Sequence, residues 1–205
     1  MISFDKKNVL FITTKNLDYI RNAQEITMIE EQCKSLKIIG SNHSNYIKRI
    51  VFVYLKVLCS SFKSFDIIFI GFAPQLIVPL FIYKLKSSYI IIDFFISIYD
   101  TFVFDRKNFK EGGLAAKILK KIDIITLLTA DKVISDTKEH GKYFIEEFGL
   151  DINKLEVLYL KADTRIYNPC QQTKKPEKIR NKFVVLYFGS VLPLQGIECV
   201  LEALE

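Results

Sequence analysis

The sequence predicts an α/β protein whose sheet is doubly wound and mostly parallel. Two observations predict this fold: short apolar runs recur along the chain, and a longer segment with helical spacing separates each run from the next. Strands that are apolar throughout are typical of a sheet covered by helices on both faces, and alternation with helices is typical of parallel strands. This is the Rossmann-like arrangement, in which ligands bind beyond the carboxyl ends of the strands.

The first half of the chain contains four predicted strands. Each is a run rich in β-branched and aromatic residues: "NVLFITT" (8–14), "LKIIGS" (36–41), "FDIIFIGF" (65–72) and "SYIIIDFFIS" (88–97). Residues 17–34 predict a helix, because four aliphatic residues recur there at helical spacing: Ile20, Ala23, Ile26 and Ile29. Residues 45–65 predict a second helix, which carries four basic residues: Lys48, Arg49, Lys56 and Lys63.

An uncharged segment, "IIFIGFAPQLIVPLFIY" (67–83), approaches the length of a membrane span. Four residues that break or weaken a continuous apolar helix interrupt it: Gly71, Pro74, Gln75 and Pro79. We therefore expect a strand, a turn at residues 73–74 and then a helix. Pro79 would fall near the start of that helix, where proline is tolerated best.

The second half of the chain continues the alternation after a polar loop, "YDTFVFDRKNFKEGG" (99–113). The pattern predicts, in chain order, a helix at 114–130, a buried strand at 131–135, a helix at 136–149 and a strand at 154–160. In the helix at 136–149, Asp136 is the expected N-cap and Gly149 the expected residue just past the end.

A change in composition predicts a domain boundary near residue 170. Residues 169–182 are polar and lysine-rich, which is typical of a linker. Residues 183–205, "FVVLYFGSVLPLQGIECVLEALE", then restart the strand–loop–helix pattern. The sequence thus predicts an N-terminal domain over 1–168, a linker over 169–182 and, over 183–205, the first strand and helix of a second Rossmann-like domain.

Composition and missing motifs narrow the classes of function. The formal net charge of +6 suits nucleic acid, anionic lipid or a phosphorylated substrate, or simply a solvated surface. No basic stripe alternates with stacking aromatic residues, so nucleic acid is not an expected partner. The motifs of zinc proteases, serine esterases, P-loop proteins and dinucleotide-binding proteins do not occur. Four cysteines form no zinc pattern, so we expect no metal site and free buried thiols in a reducing cytoplasm: Cys33, Cys59, Cys170 and Cys199.

The later elements carry a family resemblance in their order and spacing. The stretches that carry it are "LTADKVISDTKEHGKYFIEEFGLDINKLEVLYLKADTRIYNP" (128–169), "VVLYFGSVLPLQGIE" (184–198) and "IIIDFFISIYDTFVFDRKNF" (90–109). Together they resemble a retaining glycosyltransferase of the GT-B fold with a family-4-like N-terminal domain. The resemblance covers nearly the whole chain.

The resemblance implies a two-domain enzyme. Its N-terminal domain would hold a glycan or lipid-linked acceptor of cell-envelope synthesis, and its C-terminal domain would hold a sugar nucleotide as co-substrate, with no other cofactor. The acidic Glu-x7-Glu pair of the family would lie beyond Glu205, so a chain cut short in its donor domain and inactive alone is expected. A non-catalytic module that binds an acceptor or a partner is the alternative.

The glycine-containing loop near the end of the chain is the expected donor-phosphate loop. Gly189 would turn the backbone after the strand, and Gly196 would open the helix whose N-terminus faces the phosphate. Ser190 and Gln195 stand where relatives carry cations, so they would bond a phosphate without neutralising it. A purely structural turn between strand and helix is the alternative.

The loop after the first strand lacks the glycines that relatives have there. Thr14, Lys15 and Arg21 offer a hydroxyl and positive charge to a substrate phosphate instead. A solvated helix start is the alternative for these residues.

Asp93 ends the strand "YIIID" (89–93) within the apolar run at 88–97, near the position where relatives place a histidine. It is the first candidate for a catalytic residue, because an aspartate in a cleft can orient a hydroxyl or act as a base. Asp100 and Thr101 lie just beyond it and are further candidates for substrate binding. The alternative for Asp93 is a structural cap or loop hydrogen bond.

The predicted helix at 45–64 combines large apolar residues with lysine and arginine. Such a helix could rest on an anionic membrane surface, which would suit an acceptor carried on a lipid. A helix packed on the sheet with a solvated basic edge is the alternative. We therefore expect a cytoplasmic protein with peripheral contact at the inner face of the membrane, and the oligomeric state stays open.

Overall fold

The structure, a computed structural model, describes residues 3–162, 164, 168, 174–187 and 196–203. The strands are β1 (Asn8–Ile12), β2 (Ser35–Ile39), β3 (Ile67–Ile70), β4 (Tyr89–Asp93), β5 (Lys132–Ser135) and β6 (Leu155–Val157). The α-helices are α1 (Ile20–Glu30), α2 (Tyr46–Cys59), α3 (Val78–Leu85), α4 (Ile98–Asp100), α5 (Leu114–Thr129), α6 (Lys138–Phe148) and α7 (Ile197–Glu202). The chain divides into two compact units, Met1–Leu160 and Lys161–Glu205.

The strands of the first unit form one sheet in the order β2-β1-β3-β4-β5-β6, and each neighbouring pair is parallel. The order reverses at β1, because β2 lies on one side of it and β3 on the other. This Rossmann-like sheet confirms the predicted α/β class. A reversal of strand order opens a crevice at the carboxyl ends of the two strands beside it, here β1 and β3.

Helices cover both faces of the sheet, as predicted. On β1, Val9 and Phe11 point into the layer that holds Ile29 of α1. Leu10 and Ile12 point into the opposite layer, which is formed by α2, α3, α5 and α6. Every β3 side chain is buried, and full burial of a large apolar side chain contributes about 1.5–3 kcal/mol. The continuous apolar runs of the sequence are therefore explained by burial on both sides.

Helix α1 turns polar side chains toward the sheet. Its buried residues are Arg21, Asn22, Glu25 and Ile29, whereas Ile20 is 50% exposed. The aliphatic spacing predicted the helix correctly, but the face that meets the sheet is polar over its first turns. Burial of these groups is tolerated because Arg21 pairs with Asp93 at the end of β4.

The uncharged segment at 67–83 folds as predicted. It forms β3, a 3₁₀ turn over Pro74–Leu76 and α3, with Pro79 near the helix start. In the part of the chain that the structure describes, no helix is long and apolar enough to cross a membrane.

Helix α2 is shorter than the sequence predicted, since it ends at Cys59 and not near residue 65. The ammonium group of Lys84 donates to the carbonyl oxygens of Val57 and Ser60, at 2.9 and 3.1 Å, and to that of Leu58. These contacts satisfy carbonyls that have no partner inside the helix, so the end of α2 is fixed by a neighbouring helix.

Residues 99–113 were predicted as a loop, and this is wrong for their first part. Helix α4 leads into a π-helical turn over Thr101–Asp105. The buried carboxylate of Asp123 on α5 organises this segment. It accepts hydrogen bonds from the Ser97 hydroxyl at 2.8 Å and the Tyr99 amide at 2.9 Å. The anchor lies more than twenty residues away along the chain, so local pattern could not predict it.

The ends of α6 correct one predicted cap and confirm the other. Thr137 is the N-cap, because its hydroxyl oxygen accepts from the His140 amide at 3.2 Å. Asp136, the predicted cap, instead lies 2.7 Å from the His140 ring nitrogen Nδ1. Gly149 follows the helix in the left-handed region, with φ of 71°, which glycine adopts at little cost.

The second unit has little regular structure in its described residues. It contains a 3₁₀ turn over Glu177–Ile179 and helix α7, which follows Gly196 in a left-handed conformation. Residues 183–187 form no strand, and Gly189, Ser190 and Gln195 lie outside the described residues. The second Rossmann-like domain and its phosphate loop therefore stay predictions.

The prediction of buried cysteines is wrong for the cysteines described. Cys33, Cys59 and Cys199 are free thiols, but Cys33 is only partly buried and the other two are exposed. Cys59 is the last residue of α2 and is not among the residues that the helix buries. Cys170 lies outside the described residues.

Candidate functional site

The candidate site lies at the carboxyl edge of the sheet, where β1, β3 and β4 end beside the reversal of strand order. Backbone hydrogen bonds extend the sheet just past these strands. The amide of Gly71 donates to Ile12 O at 2.9 Å, and that of Phe94 donates to Ile134 O at 2.8 Å. The residues that follow the strands are therefore held in fixed register, and their side chains share one edge.

A buried ion pair lies under this edge. The Arg21 guanidinium donates from Nε and Nη2 to the two carboxylate oxygens of Asp93, both at 2.6 Å. A third bond runs from Arg21 Nη1 to the carbonyl of Leu158 at 3.2 Å. Such a two-pronged pair is strong and fixes the orientation of both groups. The structure thus brings together two residues that the sequence singled out separately.

The protonation of the pair follows from its surroundings. Burial raises the pKa of Asp93, and the hydrogen bonds and charge of Arg21 oppose that shift. Burial works against the charge of Arg21, but the bond to Asp93 raises the pKa of the guanidinium overall. We expect an ionised pair in which both carboxylate oxygens are occupied.

Glu25 lies one helical turn after Arg21 and is fully buried. Its Oε1 is 3.7 Å from Arg21 Nε, and neither of its carboxyl oxygens has a hydrogen-bond partner among the described residues. Burial, followed by the charge of Asp93, raises the pKa of Glu25 well above its usual range. Burial therefore favours the neutral form of Glu25, which leaves Asp93 as the carboxylate that the Arg21 guanidinium pairs with.

Gly71 leaves room for this polar group at the end of β3. A Cβ atom there would lie 2.9 Å from the Phe11 ring, 3.2 Å from Asn22 Oδ1 and 3.4 Å from Glu25 Oε2. The amide nitrogen of Asn22 donates to Thr13 Oγ1 at 3.1 Å, while its oxygen has no hydrogen-bond partner in the described part of the chain. Two oxygens without hydrogen-bond partners among the described residues, Asn22 Oδ1 and Glu25 Oε2, thus lie beside the backbone of Gly71.

A row of half-buried aromatic rings lies at the same edge, and we call Tyr19, Phe72 and Phe95 the aromatic row. The ring centroids of Tyr19 and Phe72 are 5.7 Å apart, as are those of Phe72 and Phe95, and both pairs meet edge to face. The Lys15 ammonium lies 5.1 Å from the Phe72 centroid, and the Arg21 guanidinium carbon lies 5.0 Å from that of Phe95. Partly exposed rings beside a cation can stack against a ring-shaped ligand and attract a negative group on it.

Hydrogen bonds from Arg49 on α2 hold the loop between β1 and α1 in place. This buried side chain donates to the carbonyls of Thr14 at 3.1 Å and His43 at 2.8 Å, and also to Asn16 Oδ1. The Thr14 hydroxyl donates to the carbonyl of Phe72 at 3.3 Å. The loop therefore needs no ligand to take its shape, and Lys15 is presented from a fixed backbone.

Asp100 and Thr101, the other predicted substrate residues, form hydrogen bonds with neighbouring protein groups. Asp100 Oδ1 accepts from the Tyr143 hydroxyl at 2.8 Å, and the Thr101 hydroxyl donates to the carbonyl of Ser97 at 2.7 Å. Burial raises the pKa of Asp100, and the bonds from Tyr143 and Ser97 oppose that shift. Of the predicted residues, Thr14, Lys15, Arg21 and Asp93 share the carboxyl edge.

Sequence analysis missed several residues of this edge, and two signals in the chain point to them. Phe72 and Phe95 are each the second residue past a strand, which is the offset of Thr14 after β1. Glu25 stands four residues after Arg21 on one helix, so the two share a face. We had not predicted Tyr19 or Asn22 as site residues either, although both lie within the same loop and helix.

A cavity of about 640 Å³ lies at the opposite, amino edge of the sheet. Its lining includes Lys7, Asp66 and Asp131. Asp66 accepts from the Asn8 amide at 2.8 Å, and Asp131 accepts from the Ile90 amide at 2.7 Å. These two carboxylates accept from amides in the first two residues of β1 and β4, so their role is structural.

Comparison with known proteins does not identify a family. No protein-family model matches the chain, and no curated protein matches it significantly.

Proposed function

We propose that this chain forms the acceptor side of a retaining glycosyltransferase, which transfers a sugar from a sugar nucleotide to a glycan or lipid-linked acceptor. The aromatic row beside Lys15, at the reversal of strand order, is the observation that supports this proposal. The resemblance in order and spacing points in the same direction. The proposal implies a cytoplasmic enzyme of cell-envelope synthesis that uses a sugar nucleotide as co-substrate and no further cofactor.

The aromatic row suits a sugar acceptor on physical grounds. A pyranose ring has an apolar C–H face that can lie on an aromatic ring and excludes water there, and its hydroxyls need polar partners at the rim. Tyr19, Phe72 and Phe95 offer partly exposed rings, and Lys15 offers a cation that suits a phosphate on a lipid-linked acceptor or on the donor. Rigid aromatic groups also lose little conformational freedom on binding.

Asp93 acts as a positioning residue in this proposal. Both of its oxygens are bound by Arg21, and the guanidinium lies over the Phe95 ring. The pair therefore fixes the ring that would contact the acceptor. A retaining enzyme of the resembled type would use the phosphate of its donor as base, so a free aspartate is not required.

Saturation-transfer NMR with a panel of methyl glycosides and sugar nucleotides tests the proposal. We expect binding to be weakened at least tenfold, about 1.4 kcal/mol, by Phe95→Ala and by Lys15→Ala. Both residues are partly exposed, so the fold should survive. Asp93 is a poorer choice, because removing one partner of a buried pair costs about 3–5 kcal/mol of stability. Phe109→Ala, at a partly exposed ring in the 106–113 segment, is the matched control.

Two outcomes would contradict the proposal. One is the absence of saturation transfer from every glycoside and sugar nucleotide in the panel. The other is binding that Phe95→Ala and Lys15→Ala leave unchanged.

A non-catalytic module that binds an acceptor or a partner is the second candidate function. The observation that favours it is that Arg21 binds both Asp93 oxygens, so Asp93 is not available as a base, and the aromatic row with Lys15 could bind a ligand without any chemistry. Incubation of the chain with sugar nucleotides and acceptors tests for the enzyme, because product formation excludes a module that only binds. Acceptor binding without product fits both functions, since an acceptor side needs a donor-binding domain for transfer.

A further inference from the structure

Helix α2 exposes large apolar side chains along the side that faces away from the sheet. Ile47 is 72% exposed, and Leu55 and Leu58 are each 57% exposed. We call the exposed residues of this helix, apart from its last residue Cys59, the α2 face: Tyr46, Ile47, Lys48, Val51, Phe52, Leu55, Lys56 and Leu58. Its neutral members far outnumber its two lysines, which is unlike the solvent side of an ordinary surface helix.

The exposure of the α2 face does not mean that the helix is wrongly oriented, because another side of α2 is already packed in the core. Its buried residues are Arg49, Val53 and Val57, which recur every four positions. Val53 and Val57 belong to the core beneath the helix. The helix is therefore apolar on two opposite sides, and only one of them contacts the sheet. An apolar surface of this kind marks an interaction site when it is contiguous.

Helix α3 extends the apolar surface. It packs beside α2, since the Tyr54 ring lies 5.5 Å from that of Phe81 and Lys84 bonds the last carbonyls of α2. Its exposed side chains include Leu80 at 64% and Tyr83 at 90%. The combined surface thus spans two neighbouring helices.

The charges on this surface are of one sign. Asp66 is the only acidic residue between Glu31 and Asp93, and it is bound to the start of β1. Lys56 folds over the Phe52 ring at 5.6 Å, and Lys86 folds over the Tyr83 ring at 5.8 Å. Apolar side chains with cations at their edges are the pattern of a helix that lies in the interface of an anionic bilayer.

We propose that the α2 face, with Leu80 and Tyr83 of α3 and Lys86 just after that helix, docks on the surface of an anionic lipid bilayer, with α2 lying in the plane of the interface. A second copy of this chain is a poorer occupant, because a symmetric contact would oppose lysine to lysine without any carboxylate between them. This inference is independent of the proposed glycosyl transfer, since it uses none of the residues at the carboxyl edge.

Docking would bring the candidate site close to the lipid. The first turn of α2 carries Arg49, which binds the backbone of Thr14 in the loop that presents Lys15. The carboxyl edge therefore lies beside the amino end of the docked helix. A lipid-linked substrate would reach the edge without leaving the bilayer surface.

Cosedimentation of the chain with vesicles tests the docking. We expect binding to vesicles of phosphatidylcholine mixed with phosphatidylglycerol, weak binding to phosphatidylcholine alone, and release by added salt. Ile47→Ser/Leu55→Ser should weaken binding at least about tenfold, because two apolar anchors are lost. Lys48→Glu/Lys56→Glu should weaken it more than about 25-fold, taking roughly fivefold for each lysine.

Matched controls separate the α2 face from general surface effects. Lys138→Glu/Lys142→Glu makes the same change of charge on the exposed side of α6, and Ile152→Ser removes a comparably exposed aliphatic residue. Both should bind mixed vesicles like the unaltered chain. Circular dichroism before and after substitution shows that each variant is folded.

Tryptophan fluorescence gives a second readout, because the chain contains no tryptophan. Phe52→Trp should shift its emission to the blue on mixed vesicles and be quenched by brominated lipids, whereas Ile152→Trp should not. The proposal is overturned if the α2 variants bind vesicles like the controls or if no vesicle binds. It is also overturned if light scattering shows a dimer that Ile47→Ser/Leu55→Ser disrupts, which would assign the face to a second copy.

Discussion

Arg21 at the carboxyl edge shows how a charged side chain can stabilise the fold and also position a residue of the candidate site. Arg21 is buried and spends three of its donors on Asp93 and Leu158. A guanidinium so engaged is not free to bind a substrate phosphate, whereas Lys15 is partly exposed beside the aromatic row. The remaining contribution of Arg21 is geometric, because its guanidinium lies against the Phe95 ring.

Glu25 should make the stability of the fold depend on pH. Its pKa is raised from 4.5 by burial, so above about pH 4.5 the unfolded chain loses a proton that the folded chain keeps. The free energy of unfolding should therefore fall as pH rises, by up to about 1.4 kcal/mol per pH unit until the folded group also ionises. Glu25→Gln, which cannot ionise, should lose this dependence. Melting temperatures of both proteins at several values between pH 4.5 and 8 check it.

The comparison isolates Glu25 from its neighbours. Arg21 and Asp93 face it in both proteins, so their own titrations largely cancel in the difference. The variant and the unaltered chain should be most alike near pH 4.5 and diverge above it. Parallel curves over the whole range would show that Glu25 is ionised in the folded chain.

The helices of this fold differ in how well the pattern of apolar residues in the sequence predicts which face is buried. Helix α2 places Val53 and Val57 inward, as an amphipathic helix should, but it also leaves apolar residues outside. Helix α1 places Arg21 and Glu25 inward and leaves Ile20 exposed. The spacing of apolar residues is enough to identify a helix. Where two faces of a helix could each be buried, the contacts with neighbouring elements determine which one is.

The start of α6 offers a test at the scale of one element. Thr137→Ala should lower the free energy of unfolding by about 1 kcal/mol, because it removes the acceptor for the His140 amide. Asp136→Ala should cost less, since the Asp136–His140 contact is largely exposed and exposed pairs contribute little. Urea denaturation of both variants measures the difference. An equal or larger loss in Asp136→Ala would mean that Asp136 caps the helix after all.

At the scale of the whole molecule, the two units should resist proteolysis differently. None of the described residues 174–187 is buried, and exposed backbone without buried contacts is cleaved first. Trypsin should therefore cut first between Lys174 and Lys182 and leave a large fragment whose melting temperature is nearly unchanged. Mass spectrometry of a time course checks this. The exposed basic residues at 106–110 are the internal comparison, and earlier cleavage there would contradict the prediction.

The whole molecule is also polarised. Its aromatic row and ion pair gather at one edge of the sheet, while the cations of α2 and α3 gather on one layer of helices. Because Arg21 and Asp93 carry opposite charges, the pair contributes nothing to the net charge of +6. That charge therefore belongs largely to surface lysines, which can meet a charged partner.

The sequence by itself determined the α/β class, the succession of strands and helices, and the end of α6 at Gly149. These follow from local causes: apolar runs, helical spacing and the conformational freedom of glycine. It also singled out Arg21 and Asp93, but as separate residues. The shared edge of β1, β3 and β4 was expected from parallel strands, while the aromatic row on it was not.

Only the tertiary structure decided the strand order, the polar inward face of α1 and the pairing of Arg21 with Asp93 across 72 positions. It also decided that the anchor of the 97–105 segment is Asp123, on another helix. The physical reason is the same for the three polar arrangements among these. A charged or polar side chain is stable inside only with its partner, and the partner is brought to it by the packing of distant segments and not by its neighbours in the chain.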